Sequence, residues 1–291
     1  MKVTKAIITT AGFSTRFLPV CKSIPKPMLP ILEVPIIHEI VKECIEGGIK
    51  DIILVTSFGN SALEDYFDSR MDLETFLEKN NKLDRYKRFN EVFGKCNVTS
   101  VRQNRSLPYG SGSAILAAKP WLTTNEAFAV VYGDDMVLSK KSAIGQLKEK
   151  FEVESENNGN IGGVIGSQYV EKEEISKYGC VSFKGGSEEI VKTIIEKPTV
   201  QEAPSLLASY GRYIVTYDIF KYLDVNNLNN NELYFSKALD DLCKEKDVYN
   251  KIVDGEWLTT GDPLNYLKAT IKYAMQREEY AEELKKLINT I

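Results

Sequence analysis

Residues 11–35 hold Arg16, Lys22 and Lys26, together with five of the chain's ten prolines: Pro19, Pro25, Pro27, Pro30 and Pro35. No helix or central strand survives that proline density. The stretch is a stiff cationic loop, able to gather positive charge at little entropic cost when an anion binds. It follows the β-rich run Ala6–Thr10, which places it where open α/β sheets bind ligands. Gly12 is its only glycine, so neither the dinucleotide pattern GxGxxG nor the phosphate loop GxxxxGK[ST] is present. The chain has one histidine, His38, which removes zinc sites built on His pairs and multi-histidine iron or copper sites. A hydrolase triad would rest on His38 alone, and that residue is expected at the edge of an amphipathic helix. The cysteines (Cys21, Cys44, Cys96, Cys180, Cys243) are scattered, never spaced CxxC, and read as ordinary buried side chains of a reduced, cytoplasmic protein.

The elements that must position this loop alternate. Helical spacing follows Pro35 at Ile36, Ile37, Ile40, Val41 and Cys44, and Asp51–Thr56 is a continuous apolar run typical of a strand buried on both faces. Helical Ser61–Phe67, strand Val98–Arg102, helical Gly112–Lys119 and strand Ala127–Tyr132 continue the rhythm. Strands are expected near 161–167, 179–184, 189–196 and 209–216, then a helix over Glu232–Glu245 and a strand near Tyr249–Val253. The pattern implies an α/β protein with an open mixed, mostly parallel sheet and helices on both faces. Two segments read as additions: an exposed helical insertion of one or two helices at 72–93, and a single long C-terminal helix over 263–291. With 291 residues and no linker-like tract, one interlocked domain is expected over 1–291. The net charge of −4 argues against a nucleic-acid coat, and no apolar run approaches the length of a membrane span.

Further residues join the loop into a recognisable set. The stretch Thr10-Ala-Gly-Phe-Ser-Thr-Arg-Phe-Leu-Pro-Val-Cys-Lys-Ser-Ile-Pro-Lys-Pro-Met-Leu-Pro30 resembles the signature of sugar-1-phosphate nucleotidyltransferases, A-G-x-G-T-R followed by K-x-x-P-K-x-M-L-P. Val101-Arg-Gln103, Gly110-Ser-Gly-Ser-Ala114, Tyr132-Gly-Asp-Asp135, Lys177-Tyr-Gly179, Ile195-Glu-Lys-Pro198 and Gly211-Arg-Tyr213 resemble that family's further motifs, in its order. The set spans essentially the whole chain and looks most like the bacterial UTP–glucose-1-phosphate uridylyltransferases.

The resemblance implies a Rossmann-like nucleotidyltransferase fold, with a nucleotide-binding part at about 1–135 and a sugar-binding part at about 136–262. It implies formation of UDP-glucose and pyrophosphate from UTP and glucose 1-phosphate. The attacking phosphate oxygen is largely ionised at neutral pH, since the second phosphate pKa is about 6, so a single histidine is no handicap. Catalysis is then positioning plus charge neutralisation. By resemblance, Ala11 and Gly12 admit the nucleotide, Arg16 grips the leaving pyrophosphate, and Lys26 neutralises the α-phosphate. Gln103 reads the uracil edge with Gly112 packed beside the base. Asp134 holds Mg²⁺, Glu196 accepts from glucose hydroxyls, Lys197 binds the sugar phosphate, and Gly179 lines the sugar pocket. The family also implies a homo-oligomer acting on small molecules, with no nucleic-acid or membrane partner.

Three positions depart from the pattern. Ser14 replaces the second glycine of A-G-x-G-T-R. Thr259 stands in Trp257-Leu-Thr-Thr-Gly261 where the family commonly has an Asp near a second metal position. Lys237 stands in Ser236-Lys-Ala238 where T-D-A is frequent. An active enzyme with a raised Mg²⁺ requirement is expected. A thymidylyltransferase or other sugar nucleotidyltransferase, and a weakened regulatory paralogue, share the same motifs.

Overall fold

A computed structural model describes residues 1–57, 59 and 61–290; Ile291, the last residue of the expected C-terminal helix, lies outside the described residues. The strands are β1 (Val3–Thr9), β2 (Pro30–Ile31), β3 (Val34–Pro35), β4 (Asp51–Thr56), β5 (Asn97–Arg102), β6 (Ala127–Tyr132), β7 (Asp135–Leu138), β8 (Ile161–Tyr169), β9 (Gly179–Phe183), β10 (Val191–Glu196), β11 (Leu207–Thr216), β12 (Asp247–Ile252) and β13 (Glu256–Thr259). The α-helices are α1 (Ile36–Glu46), α2 (Ser61–Tyr66), α3 (Met71–Lys79), α4 (Ser111–Ala118), α5 (Ala143–Asn157), α6 (Phe235–Glu245), α7 (Pro263–Met275) and α8 (Glu278–Ile288).

Nine strands form one sheet along the path β10-β9-β11-β6-β1-β4-β5, with β8 on the far side of β11 and β12 beside β8. The registers set seven strands in one direction and only β10 and β11 against them, so the sheet is mixed and mostly parallel. Strand alternation feeds two cores. Ala6 and Ile8 of β1, Ile52 and Leu54 of β4, and Ala129 and Val131 of β6 pack under α1 and α5. Their neighbours Ile7, Ile53, Val55, Phe128 and Val130 face α4 and α6 on the other side. Those strands read as unbroken apolar runs because both faces are covered.

Strand β11 is the seam. Its first part pairs with β9 (Ser209 opposite Gly179) and its second part with β6 (Arg212 opposite Val131) on the same edge. Between them Gly211 takes φ +87°, and a β-carbon there would lie 2.6 Å from Tyr132 Cβ. Only glycine fits, and the end of β6 thereby abuts the start of β9.

Several expectations need correction. The C-terminal segment is two helices, α7 and α8, because Arg277 between them is extended (φ −102°, ψ 121°) and forms an ion pair with Glu33 at 2.7 Å. The insertion, expected as one or two helices, does form one α-helix, α3, followed by short 3₁₀ turns at Leu83–Tyr86 and Phe89–Glu91. Helix α6 starts at Phe235, since Leu233 runs extended against Tyr109 and Gly112 (both hydrogen bonds 2.8 Å). His38 is fully buried, with Nδ1 2.9 Å from the Tyr66 hydroxyl. Burial, aided by the charges of Lys42 and Arg88, holds its pKa down to about 4, so it is a neutral core residue. Of the cysteines, Cys44, Cys180 and Cys243 are buried, and Cys21 and Cys96 are half-buried. Helix α5 and the β7–β13 pair lie outside the expected elements. The first was readable in Ser142, whose hydroxyl caps Gly145 N at 3.0 Å ahead of Ala143, Ile144, Leu147 and Phe151. Among the described residues no helix is long and apolar enough to cross a membrane.

Candidate active site

The parallel strands β1, β4, β5 and β6 end on one edge of the sheet, where the cationic loop follows β1, Gln103 follows β5 and Asp134 follows β6. Residues 11–35 leave β1 and are pinned at several points. Phe17 is buried edge-on against Tyr266 (ring centroids 5.8 Å apart). The Tyr266 hydroxyl donates to Pro30 O at 2.5 Å. Ile36 N donates to Leu29 O at 3.0 Å, joining the loop to α1. Successive 3₁₀ turns at Thr15–Phe17, Val20–Lys22 and Lys26–Met28 give the proline-rich chain its stiffness.

The turn after β6 crosses the end of β1. Gly133 N donates to Thr9 O at 3.1 Å, and a β-carbon at 133 would lie 2.6 Å from that same oxygen. The next residue, Asp134, presents Oδ2 to Lys26 Nζ at 2.5 Å. The Lys26 side chain is only 11% exposed, whereas that of Asp134 is 39% exposed. Thr260 donates through both N and Oγ1 to Asp134 O, each at 2.8 Å. The neighbouring Gly261 O accepts from Arg16 Nη1 at 3.3 Å. Loop, β6 turn and β13 turn thus form one hydrogen-bonded unit bearing Arg16, Lys26 and Asp134.

Asp135 points the other way. It is buried, its Oδ1 accepts from Trp257 Nε1 at 2.8 Å, and it is hydrogen-bonded by Thr259, its cross-strand partner. Burial first, and the Asp134 charge second, push its pKa up to about 7. The raised value means that the folded state favours the protonated form. Its stabilising contribution is complete below the ordinary aspartate pKa and is lost as pH rises through about 7. In metal-free buffer, Asp135→Asn should therefore gain Tm relative to the parent as pH goes from 4 to 8. Calorimetric melts at pH 4, 6 and 8 check this, and a constant difference would contradict it.

The chemistry of the donor set suits a hard divalent cation. Asp134 offers one reachable carboxylate, while Asp135 is committed to Trp257 and Thr259. Among the described residues there is no group of three or more His, Cys, Asp or Glu that could hold a metal. Mg²⁺ accepts one or two protein carboxylates and completes its shell with phosphate and water. Thr259, at the position of the expected second carboxylate, serves Asp135 instead.

The residues expected to bind the sugar are brought together across β9 and β10. Glu196 is opposite Gly179, and Glu196 Oε2 would lie 3.5 Å from a β-carbon there. Lys197 follows at φ +45°, an uncommon conformation for a non-glycine residue, with its N donating to Tyr178 O at 3.0 Å. Its Nζ lies 3.8 Å from Glu196 Oε1 and 6.0 Å above the Tyr234 ring, a contact that sequence spacing did not reveal.

Among the residues expected to bind the nucleotide, Gly12 has open space where a side chain would stand. Ser14 takes φ 53°, ψ 38°, which is why a glycine suits that place in the family pattern. Gln103 directly follows β5, its N donating to Thr56 O at 2.9 Å. Gly112 is demanded by the protein's own packing: a β-carbon there would lie 2.8 Å from Leu223 Cδ2 and 2.9 Å from Leu233 O. Lys237 pairs with Asp241 at 2.7 Å on α6.

The nucleotidyl transferase family model matches residues 5–276. A UTP–glucose-1-phosphate uridylyltransferase of Staphylococcus epidermidis is 39% identical, over 100% of this chain and 99% of that protein. The UTP-bound UDP-glucose pyrophosphorylase of Acinetobacter baumannii superimposes with a TM-score of 0.86 at 32% identity, covering 98% of each chain. A UDP-glucose pyrophosphorylase complexed with UDP-glucose gives 0.82 at 32% identity, covering 94% of this chain and 100% of the other. Sharing sequence and fold with these proteins along nearly its whole length, the chain belongs to the nucleotidyl transferase family.

Proposed function

We propose that this protein is a UTP–glucose-1-phosphate uridylyltransferase, joining the two substrates into UDP-glucose with release of pyrophosphate. The observation that carries the reading is the Lys26–Asp134 pair at 2.5 Å, set at the carboxyl edge of the parallel strands in a chain similar end to end to enzymes of that name. Two polyanions must meet, and the site supplies matched charge for them. In this reading Lys26 leaves Asp134 for the α-phosphate, and Arg16, already beside the β13 turn, takes the pyrophosphate oxygens with its planar fork. A divalent cation, Mg²⁺ in this reading, would be held by Asp134 and supply charge neutralisation between phosphates. Ala11 and Gly12 leave room for the nucleotide, and Gln103 offers a donor and an acceptor to the base. Gly112 keeps α4 close to Leu233, and in this reading its backbone packs beside the base. Glu196 and Gly179 take the glucose, and Lys197 takes its phosphate.

The nucleotide part (1–135) and sugar part (136–262) share one sheet across β11, which supports a single working unit. A homo-oligomer belongs to the same reading. The five free cysteines support a reducing, cytoplasmic setting.

The test is a pyrophosphate-release screen across nucleotides and sugar phosphates. UTP with glucose 1-phosphate should give the highest kcat/KM. A tenfold preference for dTTP, CTP or ATP would overturn the uridylyl assignment, and tight UTP binding without turnover would leave a regulatory paralogue.

A further inference from the structure

Arg212 is among the largest fully buried side chains of the described residues, and it reaches the active-site turn from beneath. Its Nε donates to Glu43 Oε1 at 3.0 Å and its Nη2 to Glu43 Oε2 at 2.8 Å. The same Nη2 donates to Asp135 O at 2.7 Å, and Nη1 lies 3.5 Å from Tyr132 O. Those two carbonyls bracket Gly133 and Asp134. Glu43 is itself held from several sides. Its Oε1 accepts from Ile144 N at 3.2 Å, at the start of α5. Its backbone oxygen accepts from the Ser142 hydroxyl at 2.8 Å. One buried pair therefore joins α1, which begins where the cationic loop ends, with α5, β11 and the turn bearing Asp134.

We propose that Arg212, oriented by Glu43, is a positioning residue for the Asp134 turn, clamping Tyr132 O and Asp135 O so that the Asp134 carboxylate meets Lys26. Neither residue touches the reacting groups, and the inference builds on the uridylyltransferase reading. The physical case is donor geometry. A guanidinium presents five N–H groups in a planar fork and serves the carboxylate and both carbonyls at once; a lysine ammonium at the same place cannot span them. A merely structural ion pair would need only the Glu43 contacts. The Asp135 carbonyl contact, shorter than either Nε contact to Glu43, is what ties the pair to the turn.

The experiment compares Arg212→Lys with Leu239→Ala, a core substitution on α6 on the opposite face of the sheet. Two readouts are taken: amide hydrogen exchange of the peptide covering 132–137 without substrates, and the kcat against KM split with both substrates. Arg212→Lys should speed exchange in that peptide at least tenfold and lower kcat about thirtyfold or more, with the glucose 1-phosphate KM within twofold. The divalent-cation concentration for half-maximal rate should rise. Leu239→Ala should lower Tm without moving either the turn's exchange or the cation requirement. If Arg212→Lys shows only what Leu239→Ala shows, the clamp is refuted. Should Arg212→Lys fail to fold, Glu43→Gln, which keeps the shape and an acceptor oxygen, is judged by the same criteria. Absence of turnover in the unsubstituted protein would defeat the uridylyltransferase reading, and the exchange comparison would still decide the clamp.

Discussion

Asp134→Asn is expected to lower kcat by about a hundredfold or more, roughly 2.7 kcal/mol of transition-state stabilisation, with little change in the KM for glucose 1-phosphate. The substitution keeps the side chain's shape and its contact with the turn but removes the charge. That charge faces Lys26 at 2.5 Å, and in the proposed reading it would hold the divalent cation there. The residues proposed to bind the sugar phosphate lie on β9 and β10 or directly after β10, so its ground-state binding should survive. Asp135→Asn is the informative comparison, because its carboxylate is buried against Trp257 and Thr259 and its removal should act mainly on stability. Steady-state kinetics of both variants at saturating Mg²⁺ provide the check. A mild Asp134→Asn beside a crippled Asp135→Asn would reverse the assignment.

Lys26→Ala and Lys197→Ala should fail in different ways. Lys26 is largely enclosed and touches the Asp134 turn, so its loss should fall on the step in which charge at the α-phosphate changes. A drop in kcat on the order of 10²-fold is expected, with both KM values nearly unaltered. Lys197 is more than half exposed, next to Glu196 and above Tyr234, at the far side of the β6–β9 junction. Its removal should raise the KM for glucose 1-phosphate about tenfold as well as slow turnover. Initial rates with each substrate varied separately measure the split, and identical defects with an unchanged sugar KM would contradict the division of labour.

The elements that run deepest in the molecule were legible from residue pattern alone. Strands β4 and β6 and helix α1 follow the apolar runs at Asp51–Thr56, Ala127–Tyr132 and Ile36–Cys44, because burial on one or two faces writes its period into the chain. The cationic loop was legible for the opposite reason: its prolines forbid any period. The ordered motifs sufficed to name the family and nominate Arg16, Lys26, Asp134, Glu196 and Lys197. What residue order could not express was contact between distant segments. It did not show which of two adjacent aspartates faces solvent, since that depends on β13 arriving with Trp257 and Thr259 to bury Asp135. Nor did it show that His38 lies under the insertion as a neutral core residue, that Arg277 breaks the last helix to reach Glu33, or that Arg212 spans from Glu43 to the turn, 169 residues away from its partner. Local periodicity reports only which face of an element is buried. The identity of the group buried against it is decided when segments far apart in the chain pack together, and in this protein that packing aims the one reachable carboxylate of the Asp134–Asp135 pair at Lys26.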